Sequence, residues 1–289
     1  MKSLTIVSTY SPRYFPLPVT KSLETTAKNW PSHAKILVYP DNMSQTLPAD
    51  KDVNFDGDRF EYYNLSKEQP SLQNFIDRHT NNPKLQKLGM KDYEFEYDAI
   101  RFSYKVFACI DAYQKTKPDM MWYLDADIIT FEPVPMSWLE HIIPDHAFTS
   151  YLGRPKKGFS ETGYYAFNTA HEFADEFFKR WQQYYDDDLF FNIQKGFLNT
   201  FPRAGYTDSF TFDAVRLEME QAWKIKNEDL NDGRFGGARK ARHPFINSEL
   251  GQYMDHLKGF ERKDQMKSKK SDLTTNQTHA YWKDLKWKY

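Results

Sequence analysis

A single cysteine, Cys109, occurs in 289 residues. That excludes intramolecular disulfides and a cysteine-rich zinc site, and its apolar neighbours on an expected helix assign the thiol to the core. Neither sign of charge prevails: 39 Lys and Arg against 40 Asp and Glu leave a net charge of −1. No global field draws this chain to nucleic acid or anionic membranes, so any such binding has to be local. Long apolar runs are missing as well. The opening Met-Lys-Ser-Leu-Thr-Ile-Val-Ser-Thr-Tyr is too short in apolar residues for a secretory signal, and nothing further on approaches a membrane span. The expected setting is cytoplasmic, with no integral membrane segment. Internal repeats and low-complexity segments are not evident either.

What the chain does have is 40% hydrophobic and 17% aromatic residues, enough for one large core. One compact domain over residues 1–263, followed by a basic, Trp-containing tail over 264–289, is the simplest organisation. Its centre is residues 120–131, Met-Met-Trp-Tyr-Leu-Asp-Ala-Asp-Ile-Ile-Thr-Phe. Apolar residues lead into Asp125 and Asp127 and isoleucines follow, the composition of a mid-sheet strand buried on both faces. In extended chain, residues i and i+2 point to the same side, so the two carboxylates should project together from the strand end and invite a cation. Asp-x-Asp also occurs at 50/52, 56/58 and 186/188, but only the copy at 125/127 follows an apolar strand.

Upstream, residues 3–10 and 34–39 read as strands, with Leu23, Thr26, Ala27 and Trp30 marking one helical face between them. This βαβ unit opens a parallel sheet. Ligands bind such sheets at the carboxyl ends of the strands, where Thr9 and Tyr10 could meet a base and ribose or could be plain loop residues. Residues 41–58 read as a surface loop, 59–65 as a third strand, and 71–82 as a helix capped by Ser71. A helix over 97–116 stacks Arg101 and Lys105 on one face, poised either for an anion or for Asp98 and Asp111. A helix over 136–143 and a strand over 146–152 follow. Gly163 opens a further strand at a point where backbone can approach a ligand closely. Thr169-Ala-His-Glu172 reads as a capping box for a helix carrying Phe173, Ala174, Phe177, Phe178, Trp181 and Tyr184, an aromatic core stripe that ends at the solvated Asp186–Asp188. Asp208 is the expected N-cap of a helix reaching about residue 223, and 247–257 reads as helical.

Leu124-Asp125-Ala-Asp127 behind an apolar strand resembles the DxD motif of nucleotide-sugar glycosyltransferases of the GT-A fold. The likeness extends in outline over residues 1–263. It implies an α/β fold with a GT-A type, Rossmann-like, mostly parallel central sheet flanked by helices, and a metal-dependent transfer of sugar from a nucleoside-diphosphate sugar to an acceptor hydroxyl. In the family the aspartates hold Mn²⁺ or Mg²⁺, which bridges the donor diphosphate. Arg101-Phe-Ser-Tyr-Lys105 resembles the basic element ahead of the DxD strand that contacts the nucleotide or its phosphates. Glu161-Thr-Gly163 resembles the segment lining the acceptor and donor-sugar pocket, and an acidic residue placed like Asp208 faces the reacting centre. His256-Leu-Lys-Gly259-Phe-Glu-Arg262-Lys263 resembles the late His-x-x-Gly-x-x-Lys element of retaining members. There the histidine is a metal ligand and the basic residue holds the diphosphate; here Arg262 takes the basic slot and Lys263 follows it. Two carboxylates and an imidazole suit Mn²⁺ better than Mg²⁺.

Other readings stand beside this one. Asp125-Ala-Asp127-Ile-Ile129 nearly matches the Asp-x-Asp-x-Thr/Val of haloacid-dehalogenase-type phosphatases, against which count Ile129 and the late position of the motif. A non-catalytic nucleotide-sugar-binding module is a third reading. For a transferase, overall composition favours a glycan, lipid-linked or protein hydroxyl as acceptor. The basic run Arg234, Arg239, Lys240, Arg242 and His243 could instead follow a phosphate backbone, as in phage enzymes that glycosylate hydroxymethylated bases in DNA. Trp282 and Trp287 should fold the tail back on the core, the alternative being contact with a membrane surface.

Overall fold

The computed structural model describes residues 1–11, 17–40, 59–87, 89–154, 159–201, 203–232, 243–275 and 277–283. In chain order these form β1 (Leu4–Tyr10), α1 (Val19–Asn29), β2 (Lys35–Pro40), β3 (Phe60–Tyr62), α2 (Leu65–Glu68), α3 (Pro70–His79), α4 (Ala99–Thr116), β4 (Met120–Leu124), β5 (Ile128–Thr130), α5 (Met136–Ile142), β6 (Ala147–Leu152), β7 (Glu161–Asn168), α6 (Ala174–Asp186), α7 (Asp208–Trp223), β8 (Lys226–Asp229), β9 (Met254–His256), α8 (Phe260–Gln265) and α9 (Ala280–Lys283). The architecture is α/β. Seven strands make one sheet in the order β3-β2-β1-β4-β7-β6-β8, parallel at every pairing except those of β7 with β4 and β6.

β4 lies mid-sheet with all five residues buried, as its apolar composition requires. Alternation along it divides the core. Met121 and Tyr123 face one side, where Phe107, Tyr165, Phe177, Trp181 and Phe212 pack; Met120, Trp122 and Leu124 face the other, with Trp30, Trp138 and Trp282. Cys109 is buried in the first of these cores, and the aromatic stripe of α6 supplies much of it.

Several local boundaries differ from the sequence expectation. The third strand stops at Tyr62, because Asn64 accepts a bond from the Lys67 amide and caps α2. Ser71 caps nothing: α3 begins at Pro70, whose missing N–H costs nothing in a first turn. Thr169 donates to the Pro118 carbonyl rather than capping a helix, and α6 starts only at Ala174. Asp188 is not simply solvated; it accepts from Arg78 and His79. The 247–257 segment is not a helix but a turn, a short 3₁₀ stretch (Glu249–Gln252) and β9, which pairs antiparallel with β5. Long-range pairing with Ile128–Thr130 overrides the local preference there.

The far end of the chain ties this strand pair down. Asp255 of β9 accepts from the Ser268 amide and hydroxyl and from the Tyr281 hydroxyl. Tyr281 stacks on Phe131 with ring centroids 4.0 Å apart. Trp282 is buried and donates its indole N–H to the Gly251 carbonyl. Trp287 lies outside the described residues. Trp282→Ala is therefore expected to destabilise the fold by about 3–5 kcal/mol, read by urea unfolding. A change below about 1 kcal/mol would show that the tail is not seated on the core.

Candidate metal centre and ligand cleft

β4 ends at Leu124, and the chain turns through Asp125, Ala126 and Asp127 into β5, with the Ile128 amide bonded to the Asp125 carbonyl. The two carboxylates thus converge through a tight turn rather than through the pleat of an extended strand. The partner of β5 brings the third group. Ile128 pairs with His256, and the Leu257 amide bonds the Asp127 carbonyl, so the imidazole arrives over the turn. One donor atom from each of Asp125, Asp127 and His256 lies within 4.8 Å of the others. His256 Nε2 is 3.3 Å from Asp127 Oδ1 and 3.7 Å from Asp125 Oδ2. Asp127 Oδ1 is buried and makes no hydrogen bond among the described residues. A buried carboxylate oxygen without a donor is costly unless a cation meets it, and two carboxylates with an imidazole are a fitting set for a divalent ion.

Gly163 of β7 makes room for the imidazole. A Cβ on this residue would stand 2.4 Å from His256 Cε1 and 2.5 Å from Nδ1. The group that the glycine lets close is thus a side chain of the protein itself. Gly163→Ala should displace the ring and weaken Mn²⁺ binding about 10–100-fold, with an overpacking cost of about 1–3 kcal/mol. Titration of the variant with Mn²⁺ checks this, and wild-type affinity would refute it.

Two lysines flank the acids. Lys263 Nζ is 2.7 Å from Asp127 Oδ2. Lys105 Nζ is 2.9 Å from Asp125 Oδ1 and 3.2 Å from Asp208 Oδ2, and it donates to the Thr162 carbonyl. Burial disfavours the Lys105 cation, but the carboxylates of Asp125 and Asp208 outweigh it and hold the ammonium above its ordinary range. For Asp125, burial and the nearby Asp127 charge raise the carboxyl against the pull of Lys105. For Asp127, burial is overcome by His256 and Lys263, which hold the carboxyl well below the usual range. The Tyr123 hydroxyl donates to Asp125 Oδ1 and shares a hydrogen bond with Thr9 Oγ1, fixing that acid to β1.

These groups open on a cleft of about 160 Å³ at the carboxyl edge of β1 and β4. Of the residues expected to bind a nucleotide, Thr9, Tyr10, Arg101, Lys105, Asp125 and Lys263 line it, together with Asp127. The expected partners Asp98 and Asp111 do not take Lys105. Asp98 caps α4 by accepting from the Arg101 amide, and Asp111 accepts from Tyr39, Gln69 and Lys115. Arg262 points away, its guanidinium bonded to Asp272 and to the Lys258 carbonyl. Gly259 contributes backbone: at φ 79 and ψ 166 it adopts a conformation reserved for glycine and starts α8, which carries Lys263.

Neither acid expected near the reacting centre lines the cleft. Asp208 is 1% exposed, accepts from the Tyr165 hydroxyl and pairs with Lys105; Thr207, not Asp208, occupies the N-cap position of α7. Glu161 is buried among Lys258, Arg154 and His256. Burial opposes its ionisation, but Lys258 and Arg154 hold its carboxyl far below the usual range. Sequence reasoning missed Tyr123, Arg154 and Lys258. Lys258 lies inside the late His-to-Gly element, and only the pairing of β9 with β5, which brings His256 beside Gly163 of β7, reveals its partner Glu161. The basic run at 234–242 falls outside the described residues, while His243 is buried and meets the His256 carbonyl.

No family model and no curated protein matches this chain. Among solved structures, mouse xyloside xylosyltransferase 1 in its apo form aligns with 80% of this chain and 85% of its own, at 10% identity and a TM-score of 0.47. The glycosyltransferase GlyE of Streptococcus pneumoniae TIGR4 aligns with 80% of this chain at 12% identity and a TM-score of 0.38, and the match spans 46% of that protein's chain. Likenesses this distant assign no activity. Among the described residues, no helix is long and apolar enough to cross a membrane.

Proposed function

We propose that the chain is a metal-dependent glycosyltransferase of the GT-A type, which moves a sugar from a nucleoside-diphosphate sugar to an acceptor hydroxyl. The observation that carries this is the meeting of Asp125, Asp127 and His256 at the mouth of a cleft that also presents Arg101, Lys105 and Lys263. A divalent ion bound by the three residues would neutralise charge on the departing diphosphate. Lys263 is the cation that shares this role, since Arg262 is committed to Asp272. Thr9 and Tyr10 form the wall against which a nucleoside would lie, and Lys105, held by Asp125 and Asp208, keeps the DxD turn in place. Mn²⁺ suits the donor set better than Mg²⁺. The acceptor expected from composition is a glycan, lipid-linked or protein hydroxyl, with hydroxymethylated DNA as the other candidate.

Mass spectrometry of reactions with a panel of sugar nucleotides, with and without Mn²⁺, tests the reading. A Mn²⁺-dependent loss of one sugar nucleotide, to transfer or slow hydrolysis, is expected. Phosphate release from simple phosphomonoesters in place of sugar transfer would favour the phosphatase reading. Binding of a sugar nucleotide with no turnover would favour the non-catalytic module.

A further inference from the structure

We propose that Glu161 is the positioning residue of the metal centre: its Oε1 accepts a hydrogen bond from the Nδ1–H of His256 and thereby fixes the tautomer whose Nε2 lone pair faces Asp125 and Asp127. The inference rests on the metal-centre reading above and changes the part Glu161 plays in it. A neutral imidazole carries one N–H and one lone pair, so Nε2 can serve as a metal ligand only if the proton sits on Nδ1. That nitrogen is buried, makes no hydrogen bond among the described residues, and lies 3.6 Å from Glu161 Oε1. The separation is longer than a hydrogen bond, and a movement of under about 1 Å closes it to the distance of a charged one.

The surroundings aim the carboxylate. Its other oxygen, Oε2, is held by Lys258 and by Arg154 Nη1. Arg154 is in turn pinned, donating to the Phe159 and Ser160 carbonyls. With Oε2 anchored by two cations, Oε1 is left facing the ring. The vacant Cβ position of Gly163 lies 2.5 Å from His256 Nδ1 and 3.3 Å from Glu161 Oε1, so one missing methyl admits the imidazole edge beside the carboxylate. Carboxylates that hold the far nitrogen of a metal-binding histidine fix its tautomer and strengthen it as a ligand. Glu161 does not line the cleft, which sets it apart from a group acting on substrate.

The test is pulsed electron paramagnetic resonance of the full chain loaded with Mn²⁺, which reads nitrogen coupling from a directly bound imidazole. Wild type should show the coupling and His256→Gln should lose it. In Glu161→Gln, Mn²⁺ should remain on Asp125 and Asp127 with the nitrogen coupling lost or scattered and the affinity about 10–100-fold weaker. Glu161→Asp keeps the charge between Lys258 and Arg154 but falls short of the ring by one methylene, so it should fold like wild type and still lose coupling. Wild-type coupling and affinity in either variant would overturn the role of Glu161 and leave the metal centre standing. Absence of coupling in the wild-type chain would remove the three-residue centre, and the role of Glu161 with it.

Discussion

Replacing Lys105 with methionine should destabilise the fold by about 3 kcal/mol at neutral pH, because it leaves the buried Asp208 carboxylate, and the half-buried Asp125 beside it, without their shared cation. Asp208 is 1% exposed, so water does little to offset the loss. The pH dependence has a definite sign. Lys105 has a raised folded value, so its contribution is fully present below its ordinary value and is lost only as pH rises through the folded one. In the variant, the Asp125 carboxyl, which burial already raises, takes up a proton more readily folded than unfolded and penalises the native state at neutral pH. That penalty fades as pH falls toward the ordinary carboxylate range near about 4. Urea unfolding of wild type and variant at several pH values should show the gap narrowing on acidification. A gap under about 1 kcal/mol, or one that widens in acid, would contradict the clamp.

Asp127→Ala should weaken Mn²⁺ binding by more than about 100-fold, beyond the 10–100-fold typical of a lost outer-shell partner. The same change releases Lys263 from its 2.7 Å pairing. Metal-free affinity for a nucleoside diphosphate should therefore hold steady or rise, while its enhancement by Mn²⁺ disappears. Parallel titrations with metal and with nucleotide separate the two effects. A variant that loses nucleotide binding equally with and without metal would instead indicate a collapsed cleft.

The central strand, the carboxylate pair that follows it, the βαβ opening and the core stripe of α6 were all legible, since each is written in local composition and period; the tight turn that brings the pair together was not. The remainder depended on contacts between distant segments. β9 has three residues and exists because β5 pairs with it, so a reading of residues 247–257 alone favours a helix. Asp208 has the chemistry of an N-cap, and only the fold shows that Lys105 claims it. Arg262 and Lys263 are neighbours on α8, and successive helical residues point about 100° apart. Which of them meets Asp127 is decided by the direction in which Gly259 launches the helix, a property of backbone geometry that the motif does not encode. Glu161 stands out in the sequence through the Glu-Thr-Gly segment, but its cationic partners come from residues seven positions before it and ninety-seven after it.

Calorimetric titration of a nucleoside diphosphate into the wild-type chain, with Mn²⁺ and with excess chelator, bears most directly on the claim that Asp125, Asp127 and His256 hold a cation for a diphosphate in this cleft. The expected result is binding that tightens at least about tenfold with Mn²⁺, the equivalent of roughly 1.4 kcal/mol. Identical affinity under the two conditions would contradict it.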